Sequence, residues 1–171
     1  MIGSLMHKQS LIWLCGVAMA LGACATSPVM IRSDVRAGSP APVVFVCEHG
    51  AAKSLVAAAY FNRFAAEKNL AIRSVARGLI PQDELSKSAT NGLDADGLTT
   101  DLSKPVALNQ EEAHSATRLV SFLPLPEAIA GNRSWIEWDD VPATGEGYDI
   151  ARDRIVEHVK ALVDELATKS D

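Results

Sequence analysis

The chain has 171 residues, long enough for one domain with its own core and too short for two comfortable ones. It carries 16 Lys and Arg against 21 Asp and Glu, a net charge of −5, and only 5% of its residues are aromatic. That balance excludes a general nucleic-acid surface, which needs a basic face and stacking rings. No internal repeat or low-complexity segment interrupts the chain.

Residues 1–23 read as a secretory signal. His7 and Lys8 precede an apolar run from Leu11 to Leu21, shorter than the ~20 residues a spanning helix needs. The run ends Leu21-Gly22-Ala23-Cys24, which resembles the lipobox of bacterial lipoproteins. The resemblance implies cleavage before Cys24 and lipid on its thiol, with an uncleaved N-terminal anchor or a mis-called start as the alternatives. Ala25 stands where an Asp often retains such proteins in the inner membrane, so the periplasmic face of the outer membrane is favoured. The lipid would hold the protein on a membrane rather than across it. From Ala25 the chain is rich in Ala, Ser, Pro and Gly, without periodicity, and residues 24–41 read as a flexible tether. The folded domain is expected over residues 42–171. Cys15 leaves with the signal and Cys24 is acylated, so Cys47 is the single thiol of the mature chain. In an oxidising compartment such a thiol is either buried and inert or a functional thiolate.

Val43 to Val46 is a run of apolar, mostly β-branched residues, the pattern of a short buried strand. Cys47 closes it, and a helical run from Leu55 to Lys68 follows, with Ala57, Phe61, Phe64 and Ala65 on one face. The loop between strand and helix therefore opens onto a helix N-terminus, where N–H groups and the dipole favour negative charge. Phosphate-like anions and a thiolate are both stabilised there. The competing reading is a small buried hydrophobe followed by an ordinary first helical turn. Lys53-Ser54 after Gly50 does not satisfy the Gly-x-x-x-x-Gly-Lys-Ser/Thr phosphate loop.

Further on, Ala71 to Ala76 predicts a second strand closed by a turn at Arg77-Gly78 and Pro81. Leu85 to Leu98 is weakly helical, broken by Gly92 and Gly97. Its Asp94-Ala95-Asp96-Gly97 lacks the spacing and closing Glu of a calcium loop, so no metal and no cofactor is expected. A short helix is expected over Gln110 to Ala116 and a third strand over Arg118 to Phe122, ended by Pro124 and Pro126. A short fourth strand is expected over Trp135 to Trp138. The last helix carries Ile155, Val156, Val159, Leu162, Val163 and Leu166 as one apolar stripe. Arg152, Asp153, Glu157, Lys160 and Asp164 read as its solvated face. Strands alternating with helices predict a single α/β domain, a four-stranded parallel sheet with helices on both faces. Ligands of such sheets bind at the carboxyl ends of the strands, where Cys47 lies.

The segment Cys47-Glu48-His49-Gly50-Ala51-Ala52-Lys53-Ser54 resembles the Cys-x5-Arg-Ser/Thr signature of the low-molecular-weight protein tyrosine phosphatases. Their thioredoxin-coupled arsenate reductase relatives often read Cys-x-His-Asn-x-x-Arg-Ser. Cys47, His49 and Ser54 match; Gly50 stands for Asn and Lys53 for Arg. Gly accepts the left-handed conformations of such loops, whereas Lys replaces a planar fork by a mobile point charge. The resemblance implies that residues 48–52 cradle the oxyanion, that Cys47 attacks phosphorus, that Lys53 steers the oxyanion, and that Ser54 eases departure of the thiolate. It also implies a general acid from an Asp-Pro segment after a tryptophan. Here Trp138-Asp139-Asp140-Val141-Pro142 has two acids and no Asp-Pro pair. If Val141-Pro142 aligns with the residues before the acid, Ala143 follows and the acid is lost. If the loop has shifted, Asp140 is the better candidate.

Three functions follow. The first is slow hydrolysis of a phosphorylated small molecule or phosphoprotein through a cysteinyl phosphate. The second is an oxyanion- or partner-binding module with impaired catalysis. The third, an arsenate reductase, lacks resolving cysteines and would need an external thiol.

Overall fold

The structure is a computed structural model and describes residues 40–169, which lie within one compact unit, Val35–Asp171. The expected signal, Cys24 and nearly all of the tether fall outside the described residues. Four strands, β1 (Val43–Cys47), β2 (Ser74–Gly78), β3 (Arg118–Ser121) and β4 (Ile136–Glu137), form one sheet in the order β2-β1-β3-β4. Every pairing is parallel, with Cys47 opposite Gly78 and Val46 opposite Ser121. Among the described residues five helices accompany them: α1 (Lys53–Glu67), α2 (Lys87–Ala95), α3 (Gln110–Ser115), α4 (Glu127–Ala130) and α5 (Tyr148–Thr168).

The strand β1 is interior and buried on both faces, which is why its sequence is apolar without alternation. Val43, Phe45 and Cys47 point to one face, into a core shared with α1, α2 and α5. Val44 and Val46 point to the other, against Leu119 and the buried Ala113 and Ala130 of α3 and α4. Phe45 centres the first core, 5.9 Å edge-on from Phe61 and 5.5 Å from Trp138. Truncating such a buried ring costs about 3–5 kcal/mol.

Local chemistry sets the helix ends. At the end of α1, Asn69 takes the left-handed conformation (φ 57), and Leu70 and Asn69 donate back to the Ala65 and Ala66 carbonyls at 2.9 and 3.0 Å. Ser86 caps α2 by accepting from the Ala89 amide, and Asn109 caps α3 by accepting from Glu112.

Several elements differ from the sequence expectation. The second strand begins and ends later than Ala71 to Ala76, and Gly78 belongs to it rather than to a turn. The second helix runs through Gly92, where a Cβ would sit 2.4 Å from the Tyr148 ring. The short α4 follows Pro126 directly, where the sequence offered only a strand end. The last helix starts at Tyr148, because Tyr148 and Ala151 extend the Ile155 stripe backwards by two turns. Arg152 is not a freely solvated residue: its side chain is 22% exposed and pairs with Asp96 at 3.3 Å. Asp96 also accepts from the Tyr60 and Tyr148 hydroxyls at 2.8 and 2.7 Å, which ties α1, α2 and α5 together. Burial works to raise the Asp96 pKa, but the bonds from Tyr148 and Tyr60 and the charge of Arg152 prevail and hold it below its ordinary value. Burial, with Asp96 as partner, pushes Tyr60 up to about 12.

Candidate functional site

Cys47 ends the interior strand, so its sulfur is delivered at the carboxyl edge of the sheet. The loop after it folds back over the end of β2. The Cys47 and Glu48 carbonyls accept from Leu79 and Ile80 at 3.2 and 2.8 Å, and His49 bridges to Gly78. Farther along, the Ala51 carbonyl accepts from Ser86 at 3.0 Å, pinning the loop to the start of α2. This return is possible because two glycines face each other. A Cβ on Gly50 (φ +66) would lie 2.7 Å from the Gly78 nitrogen, and one on Gly78 would lie 2.6 Å from Gly50. In this chain Gly50 is therefore a steric requirement as well as a conformational one, and the Asn of the family pattern would collide there.

The helix α1 begins at Lys53 with Ala52 as its N-cap, and no side chain caps it. Its first-turn N–H groups have no intrahelical acceptors, the condition that makes a helix start receptive to an anion. Ser54 is wholly buried behind the loop, and its Oγ lies 3.0 Å from Cys47 Sγ. A pocket of about 400 Å³ opens in front of the thiol, lined by Cys47, Glu48, His49, Ala51, Ala52 and Lys53. Gln82, Ser86, Ala143, Thr144 and Gly145 complete the lining. Another cavity of about 390 Å³ lies along β2 between α1 and the turn after α2, and it contains none of the candidate catalytic or anion-binding residues.

Of the sequence candidates, the structure brings together Cys47, Glu48, His49, Ala51, Ala52, Lys53 and Ser54, with Gly50 buried behind the loop. Lys53 lines the pocket, but its ammonium donates to the Val141 carbonyl at 3.1 Å and lies 5.4 Å over the Phe122 ring. Asp140 does not line the pocket. Its carboxylate contacts His158 at 2.9 Å and Arg154 at 3.0 Å, both on α5. Burial works to raise the Asp140 pKa, yet the His158 bond and the His158 and Arg154 charges outweigh it and keep the carboxyl below its ordinary value. His158 is itself stacked on Trp138, 4.8 Å between ring centres and 15° from parallel. The following residues form the pocket wall: Ala143, Thr144 and Gly145, none of them acidic. That wall is tied to α1 through Lys53 and Val141, and to α2 through Ser88, which donates to the Thr144 carbonyl at 2.7 Å.

Sequence reasoning missed Gly78, Gln82, Ser86, the 143–145 wall and His158. Gly78 alone carried a signal, since a glycine at a strand end beside an anion loop marks close backbone approach.

No family model and no curated protein matches the chain. Solved structures do match in shape. YfkJ from Bacillus subtilis superposes with a TM-score of 0.70 at 18% identity, covering 79% of this chain and 99% of its own. A low-molecular-weight phosphotyrosine phosphatase from Vibrio cholerae O395 gives 0.59 at 16% identity, covering 76% and 99%. An arsenate reductase from Archaeoglobus fulgidus gives 0.55 at 22% identity, covering 71% and 98%. The chain has the low-molecular-weight phosphatase fold. Phosphatases and arsenate reductases share it, so the fold leaves the reaction to be argued from the pocket.

Proposed function

We propose that the pocket binds the phosphoryl group of a phosphomonoester and that Cys47 attacks phosphorus to form a cysteinyl phosphate, which water then hydrolyses. The observation that carries this reading is the 3.0 Å contact between Cys47 Sγ and Ser54 Oγ at the floor of a pocket beside an uncapped helix start. The Ser54 hydroxyl donates to the thiolate, and so stabilises sulfur as the leaving group of the second step. The helix amides and the Lys53 charge face the anion. Turnover is slow in this account, because Lys53 offers one point charge where a guanidinium would grip two oxygens, and part of that charge is engaged by Val141.

The pocket is lined by no Phe, Tyr or Trp, which suits a phosphorylated small molecule or an exposed phosphorylated side chain. Purified full-length protein is expected to release p-nitrophenol from p-nitrophenyl phosphate, and Cys47→Ser to abolish it. Turnover that survives Cys47→Ser would overturn the assignment.

A second reading, oxyanion binding without turnover, is favoured by the engagement of Lys53 with Val141 and of Asp140 with α5. Phosphate binding with no hydrolysis of any ester would select it. Arsenate reduction is less well supported, because Cys47 is the one free cysteine among the described residues and an external thiol would have to resolve the adduct.

We also propose that the protein is lipid-anchored through Cys24 and faces the periplasm, on the strength of Leu21-Gly22-Ala23-Cys24. Among the described residues no helix is long and apolar enough to cross a membrane. Mass spectrometry of the protein from membranes should find acylated Cys24 at the N-terminus; an intact Met1 would contradict this.

A further inference from the structure

The hydrolase reading needs a proton for the departing oxygen, and the pocket holds few groups that could carry one. Its titratable lining residues are Cys47, Glu48, His49 and Lys53. Cys47 is the nucleophile and Lys53 donates to a backbone carbonyl. From the turn after β2 the lining residues are Gln82 and Ser86, and from the opposite wall Ala143, Thr144 and Gly145, so neither side contributes an ionisable group.

We propose that His49 is the proton donor and acceptor of this site, a role that rests on the hydrolase reading above. Its Nδ1 lies 3.1 Å from the Ile80 carbonyl oxygen. A carbonyl only accepts, so Nδ1 carries a hydrogen, and Nε2 is left as the position that gains and loses a proton. The backbone of His49 is bridged to Gly78, so ring and main chain are both held against the end of β2. The side chain lines the pocket and is 49% exposed. Glu48, 65% exposed, places its carboxylate 3.8 Å from Nε2.

The step balances as follows. The Cys47 thiolate forms a P–S bond as the P–O bond to the leaving group breaks, and the Nε2 proton of the imidazolium passes to the departing oxygen. The neutral ring then takes a proton from the water that attacks phosphorus. The P–S bond breaks, inorganic phosphate leaves, and the thiolate returns to the Ser54 hydroxyl. His49 ends as it began, an imidazolium.

The test compares two esters that differ in their need for that proton. With full-length protein, His49→Gln should lower kcat/KM for phenyl phosphate by roughly 10²-fold or more, the usual worth of a placed acid. For p-nitrophenyl phosphate, whose leaving group departs without help, the loss should stay within about tenfold, the ester's reduced need for the acid. The kcat profile of the wild type on phenyl phosphate should show an alkaline limb, where the acid has lost its proton, and His49→Gln should lack that limb. Imidazole in the buffer should restore part of the rate to His49→Ala. Equal losses on both esters, with no rescue by imidazole, would overturn the role of His49 and leave the hydrolase reading standing. Absence of Cys47-dependent turnover of either ester would overturn both.

Discussion

In the proposed hydrolysis two requirements meet at Cys47: the sulfur must ionise to attack and must leave again. Ser54, fully buried at 3.0 Å, has no other partner among the described side chains, so its hydroxyl is free to follow the charge on sulfur. Ser54→Ala should therefore spare formation of the cysteinyl phosphate and slow its breakdown by roughly 10²-fold, the order of one lost donor at a developing charge. A pre-steady-state burst that grows sharper in this variant is the expected signature; equal slowing of both steps would count against it. Lys53 poses a different problem, since its single ammonium donates to the Val141 carbonyl and, in the proposed reaction, must serve the anion as well. Arginine has five donors in a planar fork and can hold the carbonyl while gripping two phosphoryl oxygens. Lys53→Arg is expected to raise kcat on p-nitrophenyl phosphate, and an unchanged or lower kcat would show that the guanidinium does not reach the anion.

At the scale of elements, the three-helix junction around Asp96 keeps α1, whose start forms the pocket, against α2 and α5. The Asp96 carboxyl is held below its ordinary value, so its contribution to stability is present above the unfolded-chain pKa of an aspartate and is lost as pH falls through the lower folded value. Asp96→Asn should cost about 2 kcal/mol at pH 7, since it removes the charged acceptor of two hydroxyls. It should also flatten the acid limb of stability measured by urea unfolding between pH 5 and 2. A variant as stable as wild type at pH 7 would contradict the role given to this junction.

The elements also explain what was legible in the sequence. The strand β1 and the helix α1 announce themselves, because an interior parallel strand must be apolar throughout and a covering helix must carry a stripe. Their junction marked the segment from Cys47 to Ser54, which carries the proposed nucleophile and anion cradle. Glycines misled in opposite ways. Gly78 looks like a terminator but continues β2, because His49 and Gly50 return across it. Gly92 looks like a break but lies within α2, leaving room for the Tyr148 ring. The partners of Asp140 could not be found, since His158 and Arg154 meet it only after α5 has packed back on the sheet. His49 was visible as a motif residue, but the Ile80 carbonyl that fixes its ring is 31 positions away.

For the whole molecule, a four-stranded parallel sheet with α1, α2 and α5 on one face and α3 and α4 on the other places one pocket at the carboxyl end of its interior strand. The fold is shared with phosphatases and arsenate reductases, and the chain departs from the family's sequence pattern at Gly50, Lys53 and the acid loop. The first departure is a fitted contact with Gly78, whereas the second and third alter the chemistry of the pocket. What the account claims for the molecule is a covalent intermediate on Cys47. Rapid quench of full-length protein with p-nitrophenyl phosphate, followed by peptide mass spectrometry, tests that claim most directly. The account predicts a burst of p-nitrophenol approaching one equivalent per chain and a phosphate adduct on the peptide bearing Cys47, both absent in Cys47→Ser. Turnover without any adduct on that peptide would contradict it.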